Sequence, residues 1–147
     1  SQKCYLCPKF TQIKYSMKSK IVVLFSFLTL VIACAETLEE RAARDAKEFT
    51  EKNCPAPITR ELTIDSMTFA PQSHTISYYY SLSPRYDISN LDKEKTKELL
   101  LTQLKNQTNL IKYKEAGYSF RYIYYELIKP EHRIIDVRFS PQDYNNR

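Results

Sequence analysis

A single glycine, Gly117, in 147 residues leaves this chain unable to build a glycine-rich phosphate cradle, which needs several backbone N–H groups laid bare by missing side chains. Histidine is almost as scarce. With only His74 and His132, neither an imidazole-based metal centre nor an acid–base relay has much to draw on. The Cys4-Tyr5-Leu6-Cys7 pair lacks a second C-x-x-C, and a zinc centre takes four ligands. No acidic residue precedes Glu36, so five of the 22 basic residues stand alone before Cys34 and the remainder of the chain carries 17 basic against 17 acidic residues. The formal net charge of +5 therefore belongs to the leader. A neutral domain without clustered Lys or Arg has no electrostatic footprint for phosphate backbones, which excludes nucleic acid as a partner. Nor is there a run long enough to cross a membrane. The charge-free stretch Ile21–Ala33 has 13 residues, where a helical span needs roughly 20.

That short run has the anatomy of a secretory signal peptide: Met17, then Lys18 and Lys20, then the apolar stretch, then small or aliphatic residues before Cys34. Val31-Ile32-Ala33-Cys34 resembles the lipobox of bacterial lipoproteins. The resemblance implies that Cys34 becomes the first residue of the mature chain and carries diacylglycerol and a further acyl chain such as palmitate. Ordinary cleavage after Ala35 is the alternative, because Ala33-Cys34-Ala35 also has small residues flanking one position. One acyl chain binds a bilayer marginally and two or three make a stable anchor. Ala35 in place of an aspartate favours the outer membrane. Residues 1–16 precede a complete signal with its own Met17, and are expected to be an upstream extension that is not translated.

The expected organisation is thus 1–16 extension, 17–33 signal peptide, 34–57 charged helical tether and 58–144 folded domain. The tether is rich in Ala, Glu, Arg and Lys, with Glu40/Arg44 and Lys47/Glu51 spaced for i,i+4 pairing. Leu38, Ala42, Ala46 and Phe49 form a narrow apolar stripe along it. Asn53-Cys54-Pro55-Ala56-Pro57 ends the helix. Beyond it the period changes to two. Glu61–Thr68 and His74–Leu82 read as a hairpin, with Ile76, Tyr78, Tyr80 and Leu82 on one face. A helix follows over Asp92–Asn106, capped by Asn90 or Asp92, with Thr96, Leu99, Leu100, Gln103 and Leu104 as its buried side. Tyr118–Ile128 and Arg133–Phe139 read as a second hairpin around a turn at Lys129-Pro130-Glu131-His132, with Phe120, Tyr122 and Tyr124 inward. The fold expected is α+β, a four-stranded antiparallel sheet of two hairpins in the order αββαββ, with helix packed on one face.

The lipobox, Asn53-Cys54-Pro55 and the repeated Tyr-x-Tyr at Tyr78/Tyr80 and Tyr122/Tyr124 together resemble small uncharacterised lipoproteins of Gram-negative gut bacteria. This resemblance implies a location in the cell envelope and a shape, with no activity to carry over. Asp65-Ser66-Met67 also resembles the short O-glycosylation site of such bacteria.

Two functional classes follow. An exported hydrolase or thiol enzyme would have to set Cys54 against His74 or His132 with a third orienting group, and no glycine-rich oxyanion turn surrounds Cys54. The other class is a membrane-anchored, non-catalytic module that binds another envelope protein. Neither calls for a cofactor. If one helix layer buries the Tyr78/Tyr80/Tyr122/Tyr124 side of the sheet, then Tyr79, Arg121, Ile123 and Tyr125 face outward as a candidate binding surface, since Tyr and Arg combine large contact area with a polar handle.

Overall fold

In a computed structural model of the chain, residues 36–145 are described, the side chain of Asn90 excepted. The signal peptide, Cys34 and the upstream extension lie outside the described residues. The elements are α1 (Leu38–Asn53), β1 (Ala56–Pro57), β2 (Leu62–Ala70), β3 (Thr75–Leu82), α2 (Lys93–Asn106), α3 (Ile111–Glu115), β4 (Ser119–Glu126), β5 (Lys129–Phe139) and α4 (Pro141–Asn145). No helix among them is long and apolar enough to cross a membrane.

The sheet differs from the expected one. It has five strands in the order β1-β2-β3-β4-β5; β1/β2, β2/β3 and β4/β5 are antiparallel, but the central pair β3/β4 is parallel, running from Thr75↔Ser119 to Leu82↔Glu126. The reason lies in the crossover. A chain that leaves the end of β3, climbs through α2 and α3 and returns to the start of β4 enters the sheet in the original direction, as a helical crossover allows and a tight turn does not.

The composition of residues 34–57 predicts a tether, yet from Glu36 onward the chain forms one compact unit with the rest. A capping box starts α1: the Thr37 hydroxyl accepts from Glu40 N–H at 3.1 Å and the Glu40 carboxylate accepts from Thr37 N–H at 2.9 Å. That use of Glu40 diverts Arg44 from the expected i,i+4 pair to Glu36, Asp45 and Glu48. The Lys47–Glu51 pair is present. Ala42 and Ala46 are buried, and their small side chains let the helix lie close on β2. Near its C-terminus the Thr50 hydroxyl donates to Met67 C=O at 2.8 Å and accepts from Met67 N–H at 2.9 Å, so one side chain serves the free edge of β2 as a short strand would.

A bulge between Ile64 and Ser66 brings Ile64, paired with Tyr80, and Met67, paired with Tyr78, to the same face despite their odd spacing. In the second hairpin the turn falls at Leu127-Ile128, not at 129–132, and β5 begins at Lys129 opposite Glu126. Its two apolar turn residues are exposed. Asp92 caps α2 by accepting from Lys95 N–H at 3.0 Å. At the other end Lys114 donates to the carbonyls of Leu104, Lys105 and Gln107 at 3.0, 3.0 and 2.8 Å, satisfying carbonyls a helix end leaves unpaired. Gly117, with φ +78°, turns α3 into β4.

Candidate functional site

Both main helices lie on the face of the sheet that carries Ile76, Phe120 and Phe139, but they cover different parts of it. α1 packs on β2 while α2 packs on β5 and α4. Between them the middle strands contribute a floor of four tyrosines paired across the parallel seam, Tyr78 on Tyr122 with ring centroids 5.4 Å apart and Tyr80 on Tyr124 at 4.7 Å, both stacked. The Tyr-x-Tyr repeat of the sequence is thus a physical pairing, made possible because β3 and β4 run in register.

Two hollows open above this floor and share Tyr80 and Gln107. One, of about 370 Å³, lies along α2 toward the segment before β2 and is rimmed by Ile58 and Leu99, 54% and 56% exposed. The other, of about 470 Å³, lies between α1 and α3 beside Phe49, Met67 and Tyr113. None of the four tyrosine hydroxyls has a hydrogen-bond partner among the described residues, yet no buried polar side-chain atom there is left without one. The hydroxyls therefore open into the groove. Burial pushes the Tyr78 and Tyr124 hydroxyls up to about 12 and moves Tyr80 and Tyr122 in the same direction, more strongly. All four remain neutral donors and acceptors near pH 7. Of the five residues expected on the buried side of α2, Leu100 and Leu104 are buried, while Thr96, Leu99 and Gln103 line this groove.

The opposite face of the sheet carries Tyr79, Arg121, Ile123 and Tyr125. They share a face as the alternation requires, but Ile123 is only 3% exposed, held in register between Tyr79 and Asp136, and so offers a partner no surface. Thr75, Ser77 and Ser81 are buried with it. Tyr125 donates to Asp65 at 2.8 Å and Ser81 donates to the same carboxylate at 3.1 Å, which ties β2, β3 and β4 together. Arg121 makes a two-pronged pair with Asp136, 2.6 Å at each prong, and Arg133 adds a bond of 2.7 Å. The Arg121 hydrogen bond, opposed by burial and helped by Arg133, holds the Asp136 carboxyl below the usual carboxylate range.

The thiol–imidazole set is not assembled. His74 lies 2.6 Å from Glu39 and His132 lies 2.6 Å from Glu126. Cys54 is half-buried and free, and burial, then the charge of Asp65, pushes its thiol up, opposite to what an activated nucleophile needs. Among the described residues no His, Cys, Asp or Glu cluster of metal-binding size occurs.

The class these features define is an α+β domain with a mixed sheet, helices on one face and an aromatic groove between them. The chain belongs to the family described as Domain of unknown function (DUF8479), matched over residues 37–133. No curated protein matches it. Among solved structures it is similar to a protein from Pseudomonas aeruginosa described as secreted, with a TM-score of 0.60 and 10% identity over 75% of this chain and 99% of that one. It is likewise similar to EpsS, the type 2 secretion system pilotin of Vibrio vulnificus, with a TM-score of 0.61 and 10% identity over 75% of this chain and 94% of that one. A third is AspS, the type II secretion system pilotin of Vibrio cholerae, with a TM-score of 0.55 and 14% identity over 72% and 91%. At such identities the likeness is one of fold.

Proposed function

We propose that this protein is a non-catalytic binding module of the cell envelope, anchored through lipid on Cys34, that seats an apolar segment of another envelope protein in the groove between α1 and α2. The observation that carries the reading is the floor of stacked tyrosines with unspent hydroxyls. An apolar trough with a few convergent polar groups suits a ligand that brings both hydrocarbon and hydrogen-bonding backbone. The charged residues lining it are Asp45, which pairs with Arg44 at 3.2 Å, and Glu61, and no Lys or Arg is among the lining residues, so the segment it fits best is apolar with basic residues at its edge. Fold likeness to two pilotins of secretion systems supports an assembly role over a hydrolytic one.

A photo-crosslinking side chain placed at Leu99, on the groove, should trap one discrete envelope protein through an apolar, basic-flanked segment, and one at Tyr79, on the other face, should not. Equal capture from both positions, or capture through a hydrophilic segment, would remove the groove from consideration. For the anchor, labelled palmitate fed to cells should enter the wild-type protein and fail to enter Cys34→Ala. Label retained by that variant would sink the lipid assignment without touching the groove.

A further inference from the structure

On the face of the sheet away from the helices, a polar hollow of about 330 Å³ lies where the β2–β3 turn meets the middle strands. Its floor is Thr75 and Ser77, 5% and 7% exposed, and its walls are Arg121 and Arg138. Small residues make the opening, since Ala70 and Ser73 sit where longer side chains would close it. The donors on its walls are only partly used. Arg121 spends Nε and Nη2 on Asp136, leaving Nη1. Arg138 spends Nη2 on Ser119 Oγ at 3.0 Å and, more distantly, on Ser73 C=O at 3.5 Å, leaving Nε and Nη1. Thr75 and Ser73 satisfy one another, whereas the Ser77 hydroxyl, on a residue more than nine-tenths buried, has no partner among the described residues. Since no fully buried polar atom lacks a partner, that hydroxyl reaches the hollow.

Charge points the same way. Asp136 is the single carboxylate lining the hollow and is already engaged by Arg121 and Arg133. Arg138 lines the hollow without touching Asp136, so two lining guanidinium groups stand against one lining carboxylate, a local excess of positive charge in a segment that is neutral as a whole.

We propose that this hollow is an oxyanion site for a phosphate monoester, held between Arg121 and Arg138 over the Ser77 hydroxyl. Guanidinium groups present planar forks that match the oxygens of a phosphate, with strong charge-assisted bonds. The hydroxyl at the floor fixes how deep the group sits. Nothing in the site leads to hydrolysis of the ester, as no nucleophile is paired with a base there, so the role is recognition. A soluble phosphorylated ligand and a phospholipid headgroup share this chemistry. The site is independent of the groove, on the opposite face.

The test is a titration of the full-length chain in detergent with inorganic phosphate, at ionic strength held constant with chloride, reading the Arg Nε–H resonances of Arg121 and Arg138. Both should shift saturably. Arg138→Gln, which leaves the Arg121–Asp136 pair intact, should weaken the affinity about tenfold, in line with loss of a hydrogen bond from a charged group, and Ser77→Ala should weaken it severalfold. A second arm uses phosphatidylcholine vesicles with and without phosphatidic acid. Binding to the acidic vesicles that phosphate displaces assigns the site to a headgroup, and a phosphate response without vesicle binding assigns it to a soluble ligand. A response that chloride reproduces, one that never saturates, or an affinity unchanged in both variants overturns the site. Should Arg138→Gln fail to fold, Ser77→Ala decides between these outcomes, since it removes only one oxygen.

Discussion

Thr50 stands at the junction between helix and sheet, and its single hydroxyl answers both backbone groups of Met67. Thr50→Val keeps the shape and leaves a donor and an acceptor unpaired at a half-buried edge. The cost should be roughly 1–3 kcal/mol, read as a lower urea midpoint with unchanged slope, while Thr50→Ser should recover most of it. Equal midpoints for wild type and Thr50→Val would mean that water replaces the hydroxyl fully. Cys54 makes a prediction in pH. Burial and Asp65 raise its thiol, so the rate of alkylation by iodoacetamide should rise with a midpoint above the ordinary value of about 8.5. Asp65→Asn should bring that midpoint part of the way down, leaving the contribution of burial. A midpoint below the ordinary value would revive a reactive thiol. At this scale the sequence identifies Cys54 as the residue to watch and says nothing of Thr50, because its partners lie across a turn and a strand whose packing no local pattern encodes.

The strands are legible where alternation is strict. Ile76, Tyr78, Tyr80 and Leu82 share the core face with Phe120, Tyr122 and Tyr124 as their spacing requires. Less of the pairing can be read. Both strands of the central seam are flanked on each side, so their faces look the same whether they run parallel or antiparallel, and only the path of the crossover decides. The turn of the second hairpin is hidden for a simpler reason. Leu127 and Ile128 have the composition of a strand, and Pro130 that of a turn, yet Pro130 belongs to a strand with its outer edge free, where a missing N–H is tolerated. Between β4 and β5 the Arg121–Asp136 pair has a measurable signature. The folded-state carboxyl of Asp136 is lowered, so its contribution to stability is present above the unfolded value of about 3.9 and is lost as pH falls through and below it. Asp136→Asn should lower stability near neutral pH and flatten the acid limb of the curve. Parallel curves for the two proteins would show that the pair contributes nothing.

For the molecule as a whole, the sequence foretells a sheet covered by helix on one side and points to the other side as the working surface. The layer argument holds, but it treats a helix layer as continuous. Here α1 packs on β2 and α2 packs on β5, so a groove opens on the covered face, between helices whose separate placement no periodicity records. The open face is less available than its composition implies, with Ile123 covered and Arg121 and Tyr125 engaged by carboxylates.

The parallel seam also sets an order of events. Each hairpin closes through a short turn, whereas the β3/β4 ladder must bring residue 75 to residue 119, and longer loops close at greater entropic cost and more slowly. The tyrosine floor is built on that last ladder. During refolding, pulse-labelled hydrogen exchange should find the amides bonded within the β2/β3 and β4/β5 hairpins protected before those bonded across β3/β4. Simultaneous protection would mean that the seam nucleates with them. In the expected order, the nascent chain holds two finished hairpins whose tyrosines have not yet met, and the groove exists only once the slowest contact has formed.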